Sequence, residues 1–138
     1  MSEPILDFTI DFELTNGNGA GKRKNRRQNT KQEACIEIKR VLGRVPPKIR
    51  GYRVVLRIDR VLGPRQVLWD SGNILAGNAK QLIDALVSVG IISDDSNKYL
   101  AEPVLSGQIH DNRELGPGTR IRIWREKDAN NCTLKELA

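Results

Sequence analysis

The chain opens on a period-two alternation in which Phe8, Ile10, Phe12 and Leu14 stand between Asp7, Thr9, Asp11 and Glu13. Successive side chains of an extended strand point to opposite faces, so residues 5 to 14 predict a strand with one buried face and one wet face. The pattern returns twice. Tyr52, Val54, Leu56 and Ile58 alternate with Arg53, Val55, Arg57 and Asp59, which predicts a strand with a basic outer face. Ile121 and Ile123 alternate with Arg120 and Arg122 in a strand expected over Thr119 to Trp124, and another is expected near 99 to 109. Between these strands the period changes. Ala34, Ile38, Val41 and Leu42 fall on one helical stripe, opened by Thr30 and Glu33 at capping-box spacing and closed by Gly43. Ala79, Leu82, Ile83 and Leu86 form a second stripe closed by Gly90, with Gly77 and Asn78 leaving its start open. Pro46-Pro47, Gly63-Pro64 and residues 111 to 118 read as connections. The order β-α-β-α-β-β predicts a small α+β domain with a mixed sheet and two helices, over residues 1–127. Residues 128–138 lack periodicity and read as a C-terminal tail.

Composition narrows the function classes. With 138 residues, 38% of them apolar and 29% charged, the chain can bury one core. No apolar run reaches the roughly 18 residues of a bilayer crossing, and Met1 to Phe8 does not form a basic start followed by an apolar stretch. A cytoplasmic protein with no membrane partner is expected. Cys35 and Cys132 lie 97 positions apart with no second ligand at metal spacing, which fits reduced thiols and predicts neither a disulfide framework nor a zinc site. His110 is the single histidine. A triad-type nucleophile therefore has one candidate base and no local signature, and nucleophilic catalysis ranks below a metal route.

The net charge of +6 conceals an asymmetry. Residues 22 to 65 hold 15 Lys and Arg against Glu33, Glu37 and Asp59, a local charge of +12. The densest part runs from Lys22 through Arg23, Lys24, Arg26 and Arg27 to Lys31. As an isolated feature this is a solvated basic arm; continued through Lys39, Arg40, Arg44, Lys48, Arg50, Arg53, Arg57, Arg60 and Arg65, it predicts a polyanionic partner. Aromatic residues make up only 4% of the chain, too few for a single-strand binder that stacks bases on rings. Duplex or branched DNA held by its phosphates fits better. The glycines of Asn16-Gly17-Asn18-Gly19-Ala20-Gly21 read as a flexible loop, since no amphipathic helix follows them directly as in a phosphate cradle.

Against this basic background stand a few carboxylates. Asp70 precedes the second helix, Lys80 and Asp84 share the helix face opposite Leu82 and Leu86, and Asp94-Asp95 follows Gly90. Each has an ordinary structural reading: a cap, a surface ion pair, a polar turn. Beside DNA, however, uncompensated carboxylates repel the ligand. A hard divalent cation with oxygen ligands removes that conflict by bridging carboxylate to phosphate. The flanking loops must fold along the helix for carboxylates from its two ends to meet.

The segment Lys80-Gln81-Leu82-Ile83-Asp84-Ala85-Leu86-Val87-Ser88-Val89-Gly90-Ile91-Ile92-Ser93-Asp94-Asp95 resembles the RusA-type Holliday junction resolvases of bacteria and their prophages. It matches the family spacing Lys-x3-Asp-Ala-Leu-x3-Gly-x3-Asp-Asp without a gap, and element order and chain length agree more loosely over residues 5 to 126. The resemblance implies a homodimer that cuts four-way DNA junctions with Mg²⁺, Mn²⁺ being a substitute, and takes no small-molecule substrate. It implies catalytic roles for Asp70, Lys80 and Asp95, metal binding by Asp70 and Asp95, and DNA contacts by Asn73. The basic residues Lys22, Arg23, Lys24, Arg26 and Arg27 are expected to grip phosphates. Two departures stand out. Gly72 occupies the place of a family carboxylate, and Lys80 follows Asn73 by seven residues instead of three. If that stretch is helical, the four extra residues keep the lysine in phase and shift it about 6 Å along the axis. Gly77-Asn78 offers another alignment that leaves Asp70 outside the motif. A non-catalytic DNA-binding member of the fold is the main alternative, and a small RNA-binding protein is a third.

Overall fold

The computed structural model describes residues 3–15, 24–49, 52–69, 73–110 and 116–129, apart from the side chains of 24–28, 73, 128 and 129. Four strands, β1 (Leu6–Ile10), β2 (Val54–Val61), β3 (Leu105–Ile109) and β4 (Gly118–Arg125), form a sheet in the order β1-β4-β2-β3. β4 runs antiparallel to β1 and β2, whereas β2 and β3 are parallel. Parallel neighbours need a long crossover, and residues 62 to 104 supply it, with α2 (Asn73–Ala76) and α3 (Ala79–Ser88) on the way. α1 (Lys24–Leu42) joins β1 to β2 and packs along α3, and α4 (Glu126–Ala129) follows β4. This is the α+β class with a mixed sheet. Its two long helices are those expected, and two single-turn helices accompany them.

The helices cover one sheet face. Phe8 and Ile10 from β1, Leu56 and Ile58 from β2, and Ile121 and Ile123 from β4 meet Ala34 and Ile38 of α1 and Leu82, Ala85 and Leu86 of α3. Burying each large apolar side chain contributes about 1.5–3 kcal/mol. The opening alternation fixes one-sided burial out to Leu14, although β1 itself ends at Ile10. Beyond Ile10 the chain is held by other bonds, including one from the Thr119 hydroxyl to the Phe12 carbonyl.

Several expectations need correction. α1 begins at Lys24, so Thr30 lies within the helix and does not open it. Val41 is 40% exposed because the buried stripe centres on Ala34 and Ile38, flanked by half-buried Cys35 and Leu42, with Val41 at its rim. β3 starts at Leu105, not near 99; Pro103 has no N–H for a ladder, and before it only Leu100 bridges to Val54. β2 has no exposed basic face. As a central strand it is buried at every position, and Arg57 (8%) and Arg60 (4%) are withdrawn from any phosphate.

The second sheet face carries ionic chemistry. Asp59, 1% exposed, accepts a 2.9 Å hydrogen bond from Arg57 Nε, and Arg122 Nη2 bonds the same carboxylate. Gly107 of β3 stands in register with Asp59. A Cβ there would lie 2.4 Å from Arg57 Nη2 and 2.7 Å from Asp59 Oδ1, so the missing side chain gives the ion pair its room. At the other edge Arg120 grips Asp7 bidentately at 2.9 and 2.7 Å. Those bonds hold the Asp7 carboxyl below its usual range against the opposing effect of burial.

Candidate functional site

The candidate site is built on α3. Its apolar stripe, Ala79, Leu82, Ala85 and Leu86, is buried, which turns Lys80 and Asp84 outward on the other side as expected. The helix ends in a Schellman motif: Gly90 N–H donates to Val87 O and Ile91 N–H to Leu86 O, both at 3.0 Å. Gly90 has φ +88°, a left-handed conformation that suits glycine. The reversal drives Ile91 and Ile92 into the core, after which the chain returns along α3. Leu100 then docks on Val54. Between these two anchors lies Asp95.

Asp95 therefore shares a groove of about 280 Å³ with Asp84, Val87 and Ser88 of α3 and Lys31 of α1. Among the described residues no ion pair joins Lys31 to either carboxylate, and neither Asp84 nor the Asp95 carboxylate is committed to a hydrogen bond. Asp94 plays a local role, its Oδ1 accepting a 2.8 Å bond from the Asp95 N–H. Lys80 stands one turn before Asp84, exposed and outside the groove lining. Lys31 was legible in principle. It precedes Ala34 by three residues and Ile38 by seven, so a charged residue occupies the phase of a buried stripe.

Asp70, Gly72, Lys22 and Arg23 lie outside the described residues, as do the side chains of Lys24, Arg26, Arg27 and Asn73. What is described is the chain just before Asp70. Gln108 of β3 accepts from the Trp69 N–H at 2.8 Å and donates to the Trp69 carbonyl at 3.0 Å, acting as a one-residue strand partner. The Arg60 guanidinium lies over the Trp69 ring at 3.7 Å and donates to Val67 O and Gln108 Oε1 at 2.8 and 3.0 Å. Burial pushes the Arg60 pKa below its usual value. This clamp brings together residues 39 positions apart and carries no local sequence signature.

After Asn73 the helical phase does not continue to Lys80, because Gly77 and Asn78 separate α2 from α3. A Cβ on Gly77 would fall 1.6 Å from Thr15 O, and the Asn78 side chain bonds Glu13 O and the Thr15 N–H. Gly77-Asn78 thus docks the crossover onto the segment after β1. The extra residues do not act as one added helical turn.

Among the described residues no three His, Cys, Asp or Glu side chains gather as a metal cage. Asp84 and Asp95 nevertheless suit a hard cation, since Mg²⁺ commonly takes one or two carboxylates and fills its other positions with water and phosphate oxygens. No described helix is long and apolar enough to cross a membrane. Neither a protein-family profile nor a curated protein sequence matches the chain. Among solved structures, the periplasmic domain of Helicobacter pylori MotB is similar over 99% of this chain and 89% of that one, at 18% identity. The TM-score of that superposition is 0.37.

Proposed function

We propose that this protein is a Mg²⁺-dependent, structure-selective endonuclease that cuts four-way DNA junctions as a cytoplasmic homodimer. One observation carries the reading: Asp95 returns beside α3 to share a groove with Asp84, neither carboxylate being neutralised by a described arginine or lysine. The match of Lys80 through Asp95 to the RusA-type spacing adds to it. Asp70 and Asp95, with Asp84 beside Asp95, would hold the cation; when bound, it neutralises phosphate charge and makes water acidic enough to act as a nucleophile. Lys80 stands on the same helix face to meet developing negative charge. Lys22, Arg23, Lys24, Arg26 and Arg27 would position the backbone, with Asn73 beside the reacting strand. Two identical subunits suit a substrate with two-fold symmetry, because an isologous pair presents two equivalent sites.

The test is a synthetic four-way junction incubated with the purified protein and Mg²⁺. Paired, symmetric nicks that vanish in EDTA are expected. Junction binding with no nicks in Mg²⁺ or Mn²⁺ at any salt concentration would remove the catalytic claim. Gly72 supports a second reading, a junction-binding protein with a degenerate site. Gain of Mg²⁺-dependent nicking in Gly72→Asp, from an inactive parent, would establish it.

A further inference from the structure

We infer that Lys31 is a catalytic residue of this site, contacting the non-bridging oxygen of the scissile phosphate across the groove from Asp84 and Asp95; this rests on the nuclease reading. A lysine lays its stem along apolar surface and keeps its ammonium in water, and half-buried Lys31 stands at a helix phase it shares with Ala34 and Ile38, which brings its charge to the rim of the core beside α3. The groove it lines bears two carboxylates, and among the described residues it pairs with neither. Opposite charges that face a common space of about 280 Å³ without closing on each other leave room for a cation on the acidic side and an anion on the basic side. A phosphodiester with its divalent counter-ion has that polarity. Lys80, one turn away and outside the lining, is less well placed for the same oxygen.

In the reaction a water oxygen bonds phosphorus, one P–O ester bond breaks, the water's proton passes to solvent and the leaving oxygen takes one up. The Lys31 ammonium stays protonated throughout. Its charge meets the negative charge that grows on the phosphoryl oxygens.

Lys31→Gln separates this role from a structural one because two readouts move in opposite directions. Removing a cation beside two carboxylates should tighten Mn²⁺ binding to the DNA-free protein several-fold, measured by the electron paramagnetic resonance of free Mn²⁺. Junction nicking in Mg²⁺ should fall roughly 10²-fold, the usual loss when one transition-state donor is removed. Junction affinity measured in Ca²⁺ should change less than about threefold if this is one phosphate contact among many. Lys127→Gln, an equal charge change at an exposed position of α4, should alter none of the three.

Nicking at the parental rate in Lys31→Gln overturns the inference and leaves the nuclease reading standing. Weaker Mn²⁺ binding together with lost nicking and a lowered melting temperature overturns it in favour of a structural lysine. A parent protein that binds junctions but never nicks them ends the nuclease reading, and this role with it. Should Lys31→Gln not fold, Lys31→Arg keeps the charge but changes its reach. Nicking at least tenfold slower with an unchanged Mn²⁺ midpoint is then expected, and parental nicking would again refute the role.

Discussion

The sheet face away from the helices and the groove beside α3 both hold aspartates, but they treat them in opposite ways. On the sheet, Asp59 is locked to Arg57 and Arg122, and Asp7 to Arg120. In the groove, Asp84 and Asp95 face Lys31 with no described pairing. A carboxylate already held by a guanidinium has little left to offer a cation, whereas an uncommitted one retains its lone pairs. Among the described aspartates, charge therefore divides into a structural set and an available set, and the proposed chemistry draws on the second.

The largest effect should come from the structural set. Asp59→Ala leaves two largely buried arginines without their anion, and breaking a buried pair from one side costs about 3–5 kcal/mol. A urea midpoint unchanged from the parent would show that this face is not the anchor described. In the available set, Asp95→Asn should lower nicking at least 100-fold, about 2.7 kcal/mol of barrier, with stability within about 0.5 kcal/mol of the parent. A stability loss as large as that of Asp59→Ala would erase the distinction.

Gln108→Ala should come next, at about 1–3 kcal/mol. It strips both backbone partners from Trp69 and one acceptor from Arg60. Chemical denaturation measures the loss, and retained parental stability would argue that the clamp is dispensable. The smallest effect concerns Asp7. Its folded pKa is depressed, so its contribution is present above the unfolded value of about 3.8 and is lost as pH falls through the lower folded value. Asp7→Asn should therefore flatten the stability profile below about pH 4. Both partners of the Asp7–Arg120 pair are 36% exposed, and solvent screening keeps the change under about 1 kcal/mol. An unaltered acid limb in thermal melts would show the pair to be ornamental.

How much of this was readable beforehand depends on range. The local alternation at Phe8, Ile10, Phe12 and Leu14 and the helical repeat at Ala79, Leu82 and Leu86 predicted burial correctly, because each depends on the geometry of its own element. Gly90 as a stop signal was equally local. β2 misled, because an alternating strand looks half-exposed until a sheet places it in the centre and its Arg57 is covered with its counter-ion. In the groove, the proximity of Asp84 and Asp95 required the chain to turn back after Ile92, which spacing allowed but did not compel. Lys31 closes the basic run in sequence, but its helical phase with Ala34 and Ile38 sets it apart. Gln108 and Trp69 meet only through the parallel pairing of β2 and β3, which nothing in either segment announces.

That pairing has an evolutionary corollary. Since the crossover departs from one strand and comes home to its immediate neighbour, insertions and deletions within it need not disturb hydrogen bonding in the sheet. The stretch between Asn73 and Lys80 is housed this way, tethered at Gly77 and Asn78 against Thr15. A scaffold of this kind tolerates change in the length and residues of its crossover while the framework folds as before.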